Sequence, residues 1–234
     1  SMGGILVDIN CRTKVRGLIA VGEVISQIHG ANRLGGNSLL DTVVFGKIAG
    51  SEAATLAKEV GERQKAGTSL LGSNVNKQKV FDDGIFIVKE PITFRNEIQE
   101  LMKFNAGIIR EQTRLENGLK TILELKRKFY SGENILKEFN VDDDENIALT
   151  MEVKSSLVVC EAIIRSALMR QESRGAHYRS DFPNIDNETW KVNIYCRKEG
   201  RTMILFKDNV KEIKGPLADQ LDIHVKAEHH REFE

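Results

Sequence analysis

One stretch of the sequence holds residue types at a spacing that could do chemistry: His29-Gly30-Ala31-Asn32-Arg33-Leu34-Gly35-Gly36-Asn37-Ser38-Leu39. A glycine-rich loop running into a helix start offers free backbone N–H groups and the positive end of a helix dipole. Such ends bind anions or stabilise developing negative charge. Arg33 sits inside the loop and brings a planar fork of donors suited to a carboxylate. Ser38 stands where a helix N-cap belongs. Together these features describe an anion site beside a nucleotide-like ligand. A tight turn with a solvated arginine would use the same residues, and the residue types alone leave both readings open.

The elements that must position this loop can be read on either side of it. Residues 5–28 read as short strands broken by turns. Within them Gly17-Leu18-Ile19-Ala20-Val21-Gly22-Glu23 is a small apolar strand, an edge suited to a nucleotide-binding sheet. After the loop, Leu39, Leu40, Val43, Val44, Phe45, Ile48 and Ala49 cover most of a helix surface running to about Lys58. That pattern predicts a helix buried on several sides, with Gly46 and Gly50 allowing close packing. Residues 61–79 are polar, with Gly67, Gly72 and Asn74, and read as a linker. Ile85-Phe86-Ile87-Val88 reads as a short strand, and Pro91 marks a boundary.

Two apolar stripes follow. Leu101, Phe104, Ile108, Leu115, Leu119 and Ile122 form the first, and Leu149, Val153, Leu157, Cys160, Ile164 and Leu168 the second. Asp142-Asp143-Asp144-Glu145 suits the positive end of the second helix. Two such stripes predict an antiparallel helical bundle. Val192–Cys196 and Thr202–Phe206, flanking Glu199-Gly200, predict a hairpin.

Composition narrows the function classes. Among the 234 residues, 34 acids balance 34 bases, which argues against a general nucleic-acid or membrane-surface binder. Cys11, Cys160 and Cys196 are far apart and odd in number. They offer no zinc or iron–sulfur spacing and read as free thiols in a reducing compartment. No apolar run is long enough to span a bilayer, so a membrane role would come through partners. His224, His229 and His230 lie in a polar tail and read as solvated. The abrupt opening, Ser1-Met2-Gly3-Gly4-Ile5, reads as a segment of a longer protein.

Longer motifs carry a resemblance. Met2-Gly3-Gly4-Ile5, Asp8, Arg12-Thr13, Val15, Gly17-Leu18, Ala20, Gly22-Glu23, His29 through Leu39, Val44-Phe45-Gly46 and Ala49-Gly50 form one block. Phe104-Asn105-Ala106-Gly107-Ile108 and Gly118-Leu119 follow. Glu172-Ser173-Arg174-Gly175-Ala176-His177, Arg179 and Asp181-Phe182-Pro183 form a second block. In this order they resemble the C-terminal part of the succinate dehydrogenase, fumarate reductase and L-aspartate oxidase flavoproteins. The resemblance is weak over residues 61–90 and after about 195.

It implies an α/β plus α fold: the C-terminal part of a Rossmann-like FAD-binding domain, then an antiparallel helical bundle and a small hairpin. The corresponding boundaries are 1–60, 61–90 for the linker and short strand, 91–183 for the bundle, and 184–234. By the same resemblance FAD is the cofactor. Glu23 looks like the carboxylate that accepts the adenosine ribose hydroxyls. Ala31 and Asn32 would line the turn beneath the flavin ring, and Ser38 and Leu39 would offer backbone N–H groups to its pyrimidine edge. Arg33 looks like the arginine that grips a carboxylate of succinate or fumarate. Glu172, Arg174 and His177 read as a packing network. No residue of the chain is assigned a catalytic role, and none a metal.

The family's pyrophosphate loop, its covalent flavin histidine, its proton-shuttling arginine and its substrate histidine find no match here. The isolated chain is therefore expected neither to hold FAD tightly nor to turn over. The implied partners are a C4 dicarboxylate and an iron–sulfur subunit, without nucleic acid. The implied location is cytoplasmic, on the membrane face where a complex forms. Gly35-Gly36 favours the succinate dehydrogenase or fumarate reductase type over L-aspartate oxidase. A non-catalytic helical interaction module is the alternative from a different class.

Overall fold

In a computed structural model the structure describes residues 2–26, 28–64, 86–136, 143–200 and 202–210. The chain divides into two units, Ser1–Ile185 and Asp186–Glu234. Most of the expected linker, Ile85, Asp142 and the three tail histidines lie outside the described residues.

The first unit opens with irregular chain held by two isolated bridges, Ile5 with Ile25 and Arg12 with Ile19. The strand expected from Gly17 to Glu23 does not form. A strand needs a neighbour along its length, and this run finds one only at Ile19. Gly22, at φ +81°, then turns the chain into a 3-10 turn over Gly22–Val24.

Helix α1 spans Asn37–Gln64, so Ser38 falls in its first turn rather than at an N-cap, and the helix outruns Lys58. Its apolar residues are not buried on several sides as expected. Leu39, Leu40, Val43 and Val44 are 75%, 60%, 71% and 45% exposed. A Cβ added at Gly46 or Gly50 would meet nothing within 4 Å. Among the described residues no second layer covers this face.

The core belongs to three helices: α2 over Pro91–Asn105, α3 over Gln112–Phe129 and α4 over Asp144–Met169. Pro91 opens α2, where its missing N–H costs nothing. The Asp143 carboxylate accepts from the Asn146 N–H at 3.1 Å and caps α4. Val153, Leu157 and Ile164 of the second stripe are fully buried. Phe94 meets Phe129 edge to face at 5.4 Å. Helices α2 and α3 run antiparallel. Lys128 of α3 pairs with Glu97 near the start of α2, while Gly118 lies against Asn105 at its end.

The first stripe is interrupted. Phe104 and Ile108 are exposed because α2 stops at Asn105 and a turn intervenes before α3. Within and after that turn, β1 (Ile109–Arg110) pairs in parallel with β2 (Tyr178–Arg179). The strand expected up to Val88 reduces to one bridge with Ile135.

The second unit holds the expected hairpin, β3 over Val192–Glu199 and β4 over Thr202–Asn209, antiparallel with Glu199 opposite Thr202. Gly200, at φ +59°, supplies the left-handed turn residue. Among the described residues, no helix is long and apolar enough to cross a membrane.

Candidate functional site

The chain from His29 to Gly36 approaches α1 through two left-handed glycines, Gly30 at φ +59° and Gly36 at φ +85°. Side chains of most other residues would strain there. The Asn32 Oδ1 accepts the Arg33 N–H at 2.9 Å, so the loop stabilises its own backbone beside the guanidinium. Arg33 is exposed, and among the described residues it enters no ion pair. Ser38 is half-buried and Leu39 exposed. Both lie in the first turn of α1, where backbone N–H groups have no acceptor within the helix.

Glu23 is exposed in its 3-10 turn. That turn lies against α1, since a Cβ on Gly22 would sit 3.6 Å from the Thr42 methyl. Glu23 and the amides of Ser38 and Leu39 are thus carried on elements that touch. A groove of about 590 Å3 runs along α1 past Asn10, Val44, Ile48 and Thr55, and Arg33 is not among its lining residues.

The loop is anchored at two points. His29 Nε2 lies 2.5 Å from Asp41 Oδ2, with both side chains largely buried. The Ala31 carbonyl accepts from the Ala176 N–H at 3.0 Å. Neither anchor was foreseen from the sequence. His29 and Asp41 would need the loop's path to be known, and Ala176 lies in a distant motif.

That distant motif is a dense ionic network. Glu172 is fully buried between Arg170, at 2.5 Å, and Arg174, at 2.8 and 2.9 Å. Buried Arg179 forks onto Asp181 at 2.7 and 2.6 Å and donates to the Ala167 carbonyl at the end of α4. Hydrogen bonds from Arg179 above all, helped by the Gln112 N–H, hold the Asp181 carboxyl at about 2. Arg110, a residue that no motif singled out, is buried and places Nη1 2.9 Å from His177 Nδ1. An arginine can only donate, so Nδ1 accepts and the ring is neutral. Burial first, then the charges of Arg110, Arg170 and Arg179, push the His177 pKa down to about 4, against a backbone contact from Arg170. The thiols of Cys11 and Cys160 are free, and burial raises both. Among the described residues no group of three or more His, Cys, Asp or Glu could hold a metal.

A family model described as fumarate reductase flavoprotein C-term matches residues 95–217, and one described as FAD binding domain matches residues 1–39. The chain is 34% identical over 200 residues to the fumarate reductase flavoprotein subunit of Haemophilus influenzae, covering 80% of this chain and 31% of that protein. It is 36% identical over 187 residues to the fumarate reductase flavoprotein subunit of Escherichia coli, covering 77% and 30%. Among solved structures, Mycobacterium smegmatis Sdh1 in complex with UQ1 aligns with a TM-score of 0.75 at 28% identity, covering 99% of this chain and 38% of that one. A variant of Escherichia coli quinol fumarate reductase FrdA aligns at 0.73 and 28%, covering 91% and 37%.

The mixed arrangement of helices, small parallel pair and hairpin therefore matches the C-terminal part of a flavoprotein oxidoreductase fold. The chain belongs to the fumarate reductase and succinate dehydrogenase flavoprotein family and corresponds to its C-terminal portion. It spans about a third of the length of the curated relatives it matches.

Proposed function

We propose that the chain is the C-terminal portion of an FAD-dependent flavoprotein subunit of the succinate dehydrogenase or fumarate reductase type. In this reading Arg33 grips one carboxylate of a C4 dicarboxylate. The observation that carries it is the exposed Arg33, free of ion pairs among the described residues. It stands in a loop that enters the open N-terminal turn of α1, inside the stretch that the FAD-binding family model matches. A guanidinium without a resident carboxylate suits an incoming one.

The residues present fit one side of a flavin. Glu23 would accept the ribose hydroxyls, Ala31 and Asn32 would line the turn beneath the ring, and the N–H groups of Ser38 and Leu39 would face its pyrimidine edge. The positive end of α1 would favour negative charge there. When bound, the flavin supplies hydride transfer at N5 to or from the central carbons of the diacid. Arg33 holds and orients that diacid, and its charge polarises the bound carboxylate.

The uncovered apolar face of α1, from Leu39 to Val44, is the surface on which the remainder of the FAD-binding fold would seat. The relatives' threefold greater length supports that occupant. An iron–sulfur subunit would take the electrons, and any membrane attachment would come through such partners. Gly35-Gly36 in the loop favours this reading over L-aspartate oxidase.

The test is absorbance in the flavin bands. The chain alone is expected to be colourless, and a mixture with an N-terminal FAD-binding segment of this family is expected to retain flavin through gel filtration. A mixture without bound flavin returns the chain to a non-catalytic helical module.

A further inference from the structure

We propose that the Gly175-Ala176 turn, with Arg110 and His177 at its base, positions the Arg33 loop, so that the helical part of the chain sets where the guanidinium stands. The proposal rests on the reading of Arg33 as a carboxylate ligand. The turn is closed by two hydrogen bonds, Arg174 N–H to the His177 carbonyl at 2.8 Å and His177 N–H to the Arg174 carbonyl at 3.0 Å. Its tip donates the Ala176 N–H to the Ala31 carbonyl at 3.0 Å.

This approach is possible only without a side chain at Gly175. A Cβ there would lie 2.3 Å from the Ala31 oxygen and 2.5 Å from its carbonyl carbon, and φ is +57°. The base of the turn is equally fixed. Arg110 donates to His177 Nδ1 at 2.9 Å and, through Nε, to the Gly107 carbonyl at 3.0 Å. The Arg110 carbonyl accepts from the Ser180 N–H at 2.8 Å.

From Ala31 the connection to Arg33 is two residues long, and the Asn32 side chain holds the Arg33 N–H. A shift at Ala31 is therefore passed to the guanidinium. The His29–Asp41 contact ties the other end of the loop to α1. The loop thus has one anchor on α1 and one in the chain that follows the last helix of the bundle.

The experiment is backbone hydrogen exchange on the whole 234-residue chain. Gly175→Ala is expected to raise exchange over residues 29–34 by about tenfold while α2 to α4 keep their protection. Gly132→Ala, where a Cβ meets nothing within 4 Å, is expected to change neither. His177→Leu is expected to loosen the same loop, and His177→Gln, which keeps an acceptor for Arg110, to restore it. If Gly175→Ala unfolds the chain, the two His177 variants decide. Unchanged loop exchange in Gly175→Ala, or in His177→Leu, overturns the proposal.

This readout needs neither flavin nor diacid, so its failure leaves the Arg33 assignment standing, and the reverse also holds. In a flavin-holding assembly, His177→Leu is expected to raise KM for the diacid by up to ~100-fold, with kcat falling less, and His177→Gln to recover it. Equal loss of both parameters in the two variants would speak for a purely structural role.

Discussion

At the scale of single residues, a candidate site can be nominated where its members are neighbours in the chain. Arg33, the glycines around it and the helix start occupy consecutive positions, so residue type and spacing were enough to propose an anion site, though not to separate it from a tight turn with a solvated arginine. Arg110 was not readable, because its partner His177 is 67 residues away and an arginine after an apolar stretch has no signature of its own. Glu172 shows what such networks cost to break. It is fully buried between two guanidiniums, so Glu172→Ala removes the carboxylate that both of them contact. A loss of about 3–5 kcal/mol in urea unfolding is expected. His177 sets a pH dependence. Its folded pKa of about 4 lies below the ordinary 6.5, so the unfolded chain takes up the proton first. Its contribution to stability is complete above pH 6.5, declines as pH falls toward 4 and is gone below that. Asp181 acts later, its contribution present above 3.8 and lost as pH falls toward 2. Unfolding midpoints measured against pH should fall in two stages, and His177→Gln should remove only the first.

At the scale of elements, periodicity located α4 because its buried residues are its periodic residues, and the hairpin was legible because two β-prone runs flank Glu199-Gly200. It missed the break between α2 and α3 because Phe104 and Ile108 continue the spacing while facing solvent. It also misread α1. A helix apolar on several sides is ordinarily enclosed, and here Leu39, Leu40 and Val43 are open. The apolar run from Gly17 failed as a strand for the same reason, since a sheet edge needs its neighbour. Glycines separate the two environments. Gly118 is pressed within 2.8 Å of Asn105 Cβ for an added methyl, so Gly118→Ala is expected to cost about 1–3 kcal/mol by thermal or urea unfolding. Gly46 and Gly50 meet nothing, so Gly46→Ala should instead stabilise the chain alone by up to about 1 kcal/mol through helix propensity. If the remainder of an FAD-binding fold seats on that face, the same variant should lower flavin recovery on mixing. Unchanged recovery would place the covering segment elsewhere.

At the scale of the whole molecule, the described residues differ in how far they are enclosed. The three-helix core is closed, with Leu115, Ile122, Phe129 and Leu157 fully enclosed. In the segment before it the candidate site residues Glu23 and Arg33 are both exposed. The binding site proposed above, with one wall, would account for both the uncovered apolar helix and an Arg33 that enters no ion pair among the described residues. It also agrees with a chain about a third as long as its relatives. The sequence could nominate residues for a ligand site, because that depends on type. It could not show that the apolar face of α1 stays uncovered among the described residues, because local patterning looks the same in either case. The most direct measurement is a titration of fumarate into the flavin-reconstituted assembly, followed by the perturbation of flavin absorbance, for the wild-type chain and for Arg33→Ala. The wild type should saturate. The variant should retain its flavin yet bind fumarate about 100-fold more weakly, the loss of roughly 3 kcal/mol from a charge-assisted pair. Equal affinity in both, with flavin bound, would contradict the account.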